Sequence, residues 1–252
     1  MKSRGQVTIF IIIAIMIVAA IILFFLLRSG VVPGISQKPS ANPQAYLESC
    51  IEEKIGDAVN LISAQGGYVN PELFKEIDED KIAYLCYTHN YYVQCVNQEP
   101  MLLKHLDKEL SNYLSEDIKN CFDDMAGAFE KQGYAVEARY NGFDITLMPS
   151  KIKVDIDGEL TLTKSGESSV EKEFVVFKRT KFYELAVIAQ EIVSQEAKYC
   201  NFETNGFMMF YPLYRIDRLR LGDSTNIYTL EQKNTKEDFK FAVKSCVIPG
   251  GL

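Results

Sequence analysis

The sequence predicts an α+β domain with helices packed on a mostly antiparallel sheet, held outside a membrane by one amino-terminal helix. Three observations predict it. An apolar run without charge extends from Gln6 to Leu27, framed by Lys2, Arg4 and Arg28. Six cysteines all follow that run, and none falls in a Cys-x-x-Cys pair. Beyond the run, apolar residues recur at three- and four-residue steps over long stretches, then alternate from Tyr134 onward.

The apolar run has 22 residues, so as a helix it would be about 33 Å long, enough for a bilayer core of about 30 Å. It shows no polar stripe, unlike a core helix of a soluble protein. It also exceeds the apolar core of a secretory signal, and Leu26-Leu27-Arg28-Ser29-Gly30 lacks a small-residue cleavage site. Residues 6–28 are therefore expected to be an uncleaved transmembrane helix. Lys2 and Arg4 place the head, residues 1–5, in the cytoplasm and residues 29–252 outside.

Residues 29–43 form a linker, since Gly30, Pro33, Gly34, Pro39 and Pro43 disfavour regular structure. Setting aside Lys2, Arg4 and Arg28, the net charge of −7 becomes −10 beyond residue 28. That excludes a nucleic-acid surface and a polybasic grip on anionic lipid. The remaining residues divide into a helical and hairpin part, 44–132, and a sheet-rich part, 133–252.

Pro43 to about Ala64 reads as a helix, with Tyr46, Leu47, Ile51, Ile55, Ala58, Val59 and Ile62 in register. Asn42 caps it, Pro43 opens it, and Gln65-Gly66-Gly67 ends it. Ile82–Tyr87 and Tyr91–Val96 read as a hairpin turning at Thr88-His89-Asn90, which sets Cys86 opposite Cys95. Met101 to about Gln132 is a long helix with Leu106, Leu110, Leu114, Ile118, Cys121, Phe122, Met125 and Phe129 on one face. An even cysteine count outside a membrane reads as disulfides. Packing of the two helices pairs Cys50 with Cys121, the hairpin pairs Cys86 with Cys95, and elimination leaves Cys200 with Cys246.

Ile152, Val154 and Ile156 alternate with Lys153 and Asp155, and Asp157-Gly158-Glu159 reads as a three-residue turn leading to Leu160 and Leu162. Val170–Lys178 continues the sheet. Lys181–Tyr199 is a helix striped by Leu185, Ile188, Ala189, Ile192 and Val193. Met208–Leu221, Asn226–Glu231 and Phe239–Val243 read as strands, with Phe207-Met208-Met209-Phe210-Tyr211 in the core and the tail frayed beyond Cys246.

The residues carry no signature of catalysis. His89 and His105 lie at no metal-ligand spacing and beside no nucleophile. Asp78-Glu79-Asp80 and Asp123-Asp124 lack a calcium-loop layout and read as solvated charge. No catalytic, cofactor or metal residue is assigned, and no cofactor is expected. Tyr84, Tyr87, Tyr91 and Tyr92 are the candidate partner surface, because tyrosine joins a large apolar body to a polar tip.

Arg4-Gly5-Gln6-Val7-Thr8-Ile9-Phe10 before an Ile-rich helix resembles the amino termini of archaeal type IV pilin-like precursors. The resemblance implies processing after Gly5, with Gln6 as the new amino terminus. The succession of Cys50, Gln65-Gly66-Gly67-Tyr68, a Tyr-rich stretch and Cys121 resembles single-span surface proteins of small-genome archaea. That likeness covers the anchor to about residue 130 and implies an exported, disulfide-bonded domain. The expected function is a single-pass cell-surface protein that contacts the bilayer through residues 6–28. Its outer domain would bind a protein partner or join an envelope assembly. A pilin-like filament subunit and a membrane-tethered enzyme remain the alternatives.

Overall fold

A computed structural model describes Met16, residues 42–78 and residues 80–248. The predicted head, Gly5 and Gln6, the span of residues 6–28 apart from a helical Met16, and the linker up to residue 41 lie outside the described residues. Among the described residues no helix is long and apolar enough to cross a membrane.

Helix α1, Pro43–Ala64, begins as its sequence dictates: Asn42 Oδ1 accepts from Gln44 N at 2.9 Å, and Pro43 occupies the first turn. Its stripe of Leu47, Ile51, Ile55, Ala58 and Ile62 is fully buried. Gly66 and Gly67 then take positive φ, and a Cβ on Gly66 would meet Ala83 Cβ at 2.9 Å. Helix α2, Leu102–Lys131, buries its face from Leu106 to Phe129. The disulfide Cys50–Cys121 joins the two helices. By loop-closure entropy, its separation of 71 residues is worth about 4 kcal/mol, against about 2.6 kcal/mol for the separation of 9 in Cys86–Cys95.

Helices α1 and α2 pack on a three-stranded antiparallel meander: β4, Ala135–Met148; β5, Lys151–Lys164; and β6, Glu167–Arg179. The predicted Asp157-Gly158-Glu159 turn is absent. β5 runs straight through these residues, with bulges against β4 and β6 at that level. The glycine serves packing rather than turning, because a Cβ there would lie 2.8 Å from the Phe122 ring of α2. The chain turns instead at Pro149-Ser150 and Ser165-Gly166.

The second sheet is six-stranded and mixed. Its strands are β1, Phe74–Ile77; β2, Asp80–Tyr87; β3, Val96–Asn97; β7, Tyr214–Arg220; β8, Thr225–Gln232; and β9, Asp238–Lys244. The order is β1-β2-β9-β8-β7, with β3 beside β2, and only β2 and β9 pair in parallel. Helix α3, Phe182–Tyr199, covers one face, while Ile82, Tyr84, Ile227 and Ala242 form a small cluster apart from the main core. Because α1 packs on both β6 and β9, the described residues from Asn42 onward form one compact unit.

The predicted hairpin survives only as a two-residue antiparallel pairing, Val96–Asn97 against Cys86–Tyr87. Cys86 faces Asn97 rather than Cys95, although Cys86 and Cys95 are disulfide-bonded. The segment after Asn90 is drawn to the end of the chain instead: Tyr92 N donates to Val247 O, Cys246 N to Val93 O, and Cys95 N to Ser245 Oγ. Consequently Val247 is buried rather than frayed, while Ile248 is exposed and the rest of the tail, residues 249–252, lies outside the described residues. Cys200–Cys246 closes the same region from the end of α3. All six cysteines are paired in the predicted connectivity, Cys50–Cys121 from helix packing, Cys86–Cys95 without the predicted hairpin register, and Cys200–Cys246 by elimination.

The predicted strand Met208–Leu221 is divided. Thr204–Phe210 forms helix α4, and the strand begins only after Pro212. Glu203 caps α4 by accepting from Asn205 N at 3.2 Å. The stretch Phe207–Tyr211 is therefore not core as a whole: Met209 is 83 % and Phe210 84 % exposed.

Candidate interaction face

Helix α4 has apolar side chains on both its sides. Phe207 and Met208 turn inward: the Phe207 ring lies 5.6 Å from that of Phe202, and Met208 Sδ accepts from Ile216 N at 3.3 Å. Met209 and Phe210 turn outward. Tyr211 packs on Phe207 with ring centroids 4.6 Å apart, and Leu213 follows, also exposed. From Thr204 to Tyr214 no residue carries a charge at neutral pH. An exposed apolar cluster of this kind marks a contact site.

A groove of about 580 Å³ runs between α4, α3 and β7. Tyr183, Val187 and Ile188 of α3 form one wall, and Phe207, Tyr211 and Tyr214 the other. Glu184 and Glu191 stand at its rim. Glu184 is not free, since it accepts from Ser150 Oγ at 2.8 Å and pairs with Lys181 at 3.0 Å. Burial opposes its ionisation, but those hydrogen bonds prevail and hold its pKa below the ordinary glutamate value. The groove therefore offers aromatic surface beside an acidic rim in which Glu184 is paired with Lys181, a composition that suits contact.

The four tyrosines singled out from sequence do not form one surface. Tyr84 is buried, shares a hydrogen bond of 2.9 Å with Thr225 Oγ1, and packs edge-on against half-buried Tyr87 at 5.0 Å. Burial raises the Tyr84 pKa. Alternation along β2 turns Tyr84 into the small cluster, which removes it from any contact face. Tyr91 and Tyr92, beyond the strand, are exposed, with Val93 and Ile248 exposed nearby along the chain segments that pair there. They make a second exposed apolar area.

His89 is exposed in a loop. His105 is half-buried: its Nε2 lies 2.9 Å from Gly67 O, and its ring packs, tilted by 52°, at 4.3 Å from that of Tyr68, whose hydroxyl donates to Glu99 at 2.5 Å. This cluster ties the Gly66-Gly67 turn to the start of α2. Burial and then Glu99 raise the Tyr68 pKa, which keeps the phenol neutral and unsuited to act as a base. Among the described residues, no group of three or more His, Cys, Asp or Glu could hold a metal ion.

One buried carboxylate belongs to no sequence motif. Glu196 of α3 is fully buried beneath the β7–β8 strands; its Oε1 accepts from the Tyr228 hydroxyl, and its Oε2 has no hydrogen-bond partner. Its position, three and four residues after Val193 and Ile192, extends the apolar stripe and is the signal that locates it. The α4 face had a signal too, the charge-free run 204–214, but the helix is too short to show a period.

No family model, curated protein or solved structure matches the chain.

Proposed function

We propose that this chain is a single-pass, membrane-anchored surface protein whose outer α+β domain binds a partner or joins an envelope assembly. Residues 6–28 supply the anchor and residues 29–252 lie outside the cell. The observation that carries this reading is the pairing of all six cysteines, because structural disulfides persist in oxidising compartments. The α4 face and the Tyr91–Tyr92 area support a binding role over a catalytic one, being exposed apolar surface without convergent acid–base groups. Treatment of intact producing cells with a membrane-impermeant amine reagent tests the placement. Lys119 and Lys172 have exposed side chains and should react without lysis. Modification only after lysis overturns the reading.

The Arg4-Gly5 junction before Gln6 favours a second reading, a type IV pilin-like subunit trimmed after Gly5. The mass of the mature chain separates the two: a chain beginning at Gln6 supports the filament subunit, and one beginning at Met1 removes it.

A further inference from the structure

We infer that α4 and the turn after it, residues 207–213, form a second membrane contact, docking the outer domain onto the lipid surface in which the chain is anchored. The inference rests on the anchoring reading above. Its first support is the amphipathic mounting of the segment. Phe207 and Met208 fasten it to the core and Tyr211 packs on Phe207, while Met209 and Phe210, the two most exposed large apolar side chains among the described residues, project with Leu213 into solvent. Its second support is charge. No residue between Glu203 and Arg215 is ionised, so the segment enters the interfacial zone without desolvating a charge of its own. Lys233 lies directly behind the tip, with Nζ donating to Pro212 O at 2.7 Å. A long cationic side chain in that place keeps its head among lipid phosphates while its stem lies along apolar surface. Tyr211, exposed within the segment, joins an apolar ring to a polar tip, as interfacial aromatics do.

The third support is reach. The described domain starts at Asn42, and the apolar run ends at Leu27. The linker of residues 29–43 spans at most about 50 Å when fully extended, and about 20 Å as a random coil. A domain so tethered meets the bilayer surface at high effective concentration, so even a small apolar tip suffices for docking. A soluble protein partner gains no such advantage from the tether.

The chain contains no tryptophan, so one substitution supplies a unique fluorescent reporter. The full chain carrying Phe210→Trp is reconstituted in phosphatidylcholine vesicles with and without acyl-brominated lipid. The expected result is blue-shifted emission and loss of intensity with brominated lipid. Shallow bromines should quench more than deep ones, since an interfacial helix sits about 5–10 Å into the headgroup–acyl boundary. Additional substitution of Met209→Ser and Leu213→Ser should abolish both the shift and the quenching. Emission typical of water overturns the inference. So does a blue shift without bromine quenching, which would mean that protein, including a second copy, covers the tip. A parallel chain carrying Phe24→Trp reports on the anchor: quenching there without quenching at position 210 removes this inference alone, whereas its absence at both positions removes the anchoring reading.

Discussion

Glu196 is, among the described residues, the only fully buried carboxylate, and its protonation is coupled to stability. Burial raises its pKa above the ordinary glutamate value of 4.5; the Tyr228 hydrogen bond and the charges of Arg218 and Arg220 act in the opposite direction without prevailing. Between the unfolded and the raised native pKa, the native state therefore holds a proton that the unfolded chain has lost. Stability from this group is full below the unfolded pKa and is lost as pH rises through the raised native value. Glu196→Gln preserves an acceptor for Tyr228 and abolishes the titration. Urea midpoints of the variant and the parent should run parallel below about pH 4.5 and diverge above it. The variant should gain on the order of 1 kcal/mol once the parent carboxylate ionises. Parallel curves across the whole range would show that Glu196 does not titrate differently in the folded state. The position was legible, because it falls on the apolar stripe of α3. Its partner was not, because Tyr228 comes from a strand 32 residues further along the chain.

The elements differ in how plainly the sequence announces them. α1, α2 and α3 each repeat their apolar side chains over many turns, and α1 also carries its own cap, opening proline and closing glycines. Their faces and two of their cysteines could be placed from that pattern alone. β5 could not, because Asp157-Gly158 has the local chemistry of a hairpin turn while its real constraint is an aromatic ring from a distant helix. Gly158 has no positive φ to satisfy, so alanine would be tolerated there but for the collision. Its Cβ would lie 2.8 Å from Phe122 Cε2 and 3.1 Å from Arg139 O. Gly158→Ala should destabilise the domain by about 1–3 kcal/mol through forced displacement of the ring. In a Phe122→Leu background the penalty should shrink, with a coupling of at least about 0.5 kcal/mol in a double-mutant cycle read by urea unfolding. Additive effects would mean that Gly158 is held by the backbone alone. α4 illustrates the opposite difficulty: seven residues are too few for a period, and Phe207–Tyr211 reads equally as strand or core until Pro212 and the exposure of Phe210 separate the alternatives.

At the scale of the whole molecule, the chain's two parts are interleaved rather than adjacent. β2 belongs to the first part, yet its neighbour is β9, contributed by the last strand of the fold, with Tyr84 facing Ala242 and Cys86 facing Val243. No local pattern encodes that parallel pairing, since it depends on which buried strand edge remains available once β7, β8 and β9 have formed their meander. The helical part depends on the rest in two further ways. α1 buries its stripe against β6 and β9, and α2 buries its stripe against β4, all from beyond residue 132. A fragment of residues 42–132 would keep two of the three disulfides, yet it would expose Leu114, Ile118, Phe122, Ile82 and Leu85, which are buried in the intact domain. Burial of each such side chain is worth about 1.5–3 kcal/mol, so losing several exceeds the stability of an ordinary domain. The fragment alone should therefore show no cooperative urea transition and little amide protection, whereas the intact chain should unfold its described residues in a single transition. Mixing the fragment with residues 133–248 should restore protection in β2, because β9 is then supplied in trans. A cooperative transition in the isolated fragment would mean that the two helices and the Cys50–Cys121 bridge suffice for a core, and that the β2–β9 pairing forms after folding rather than as a condition of it.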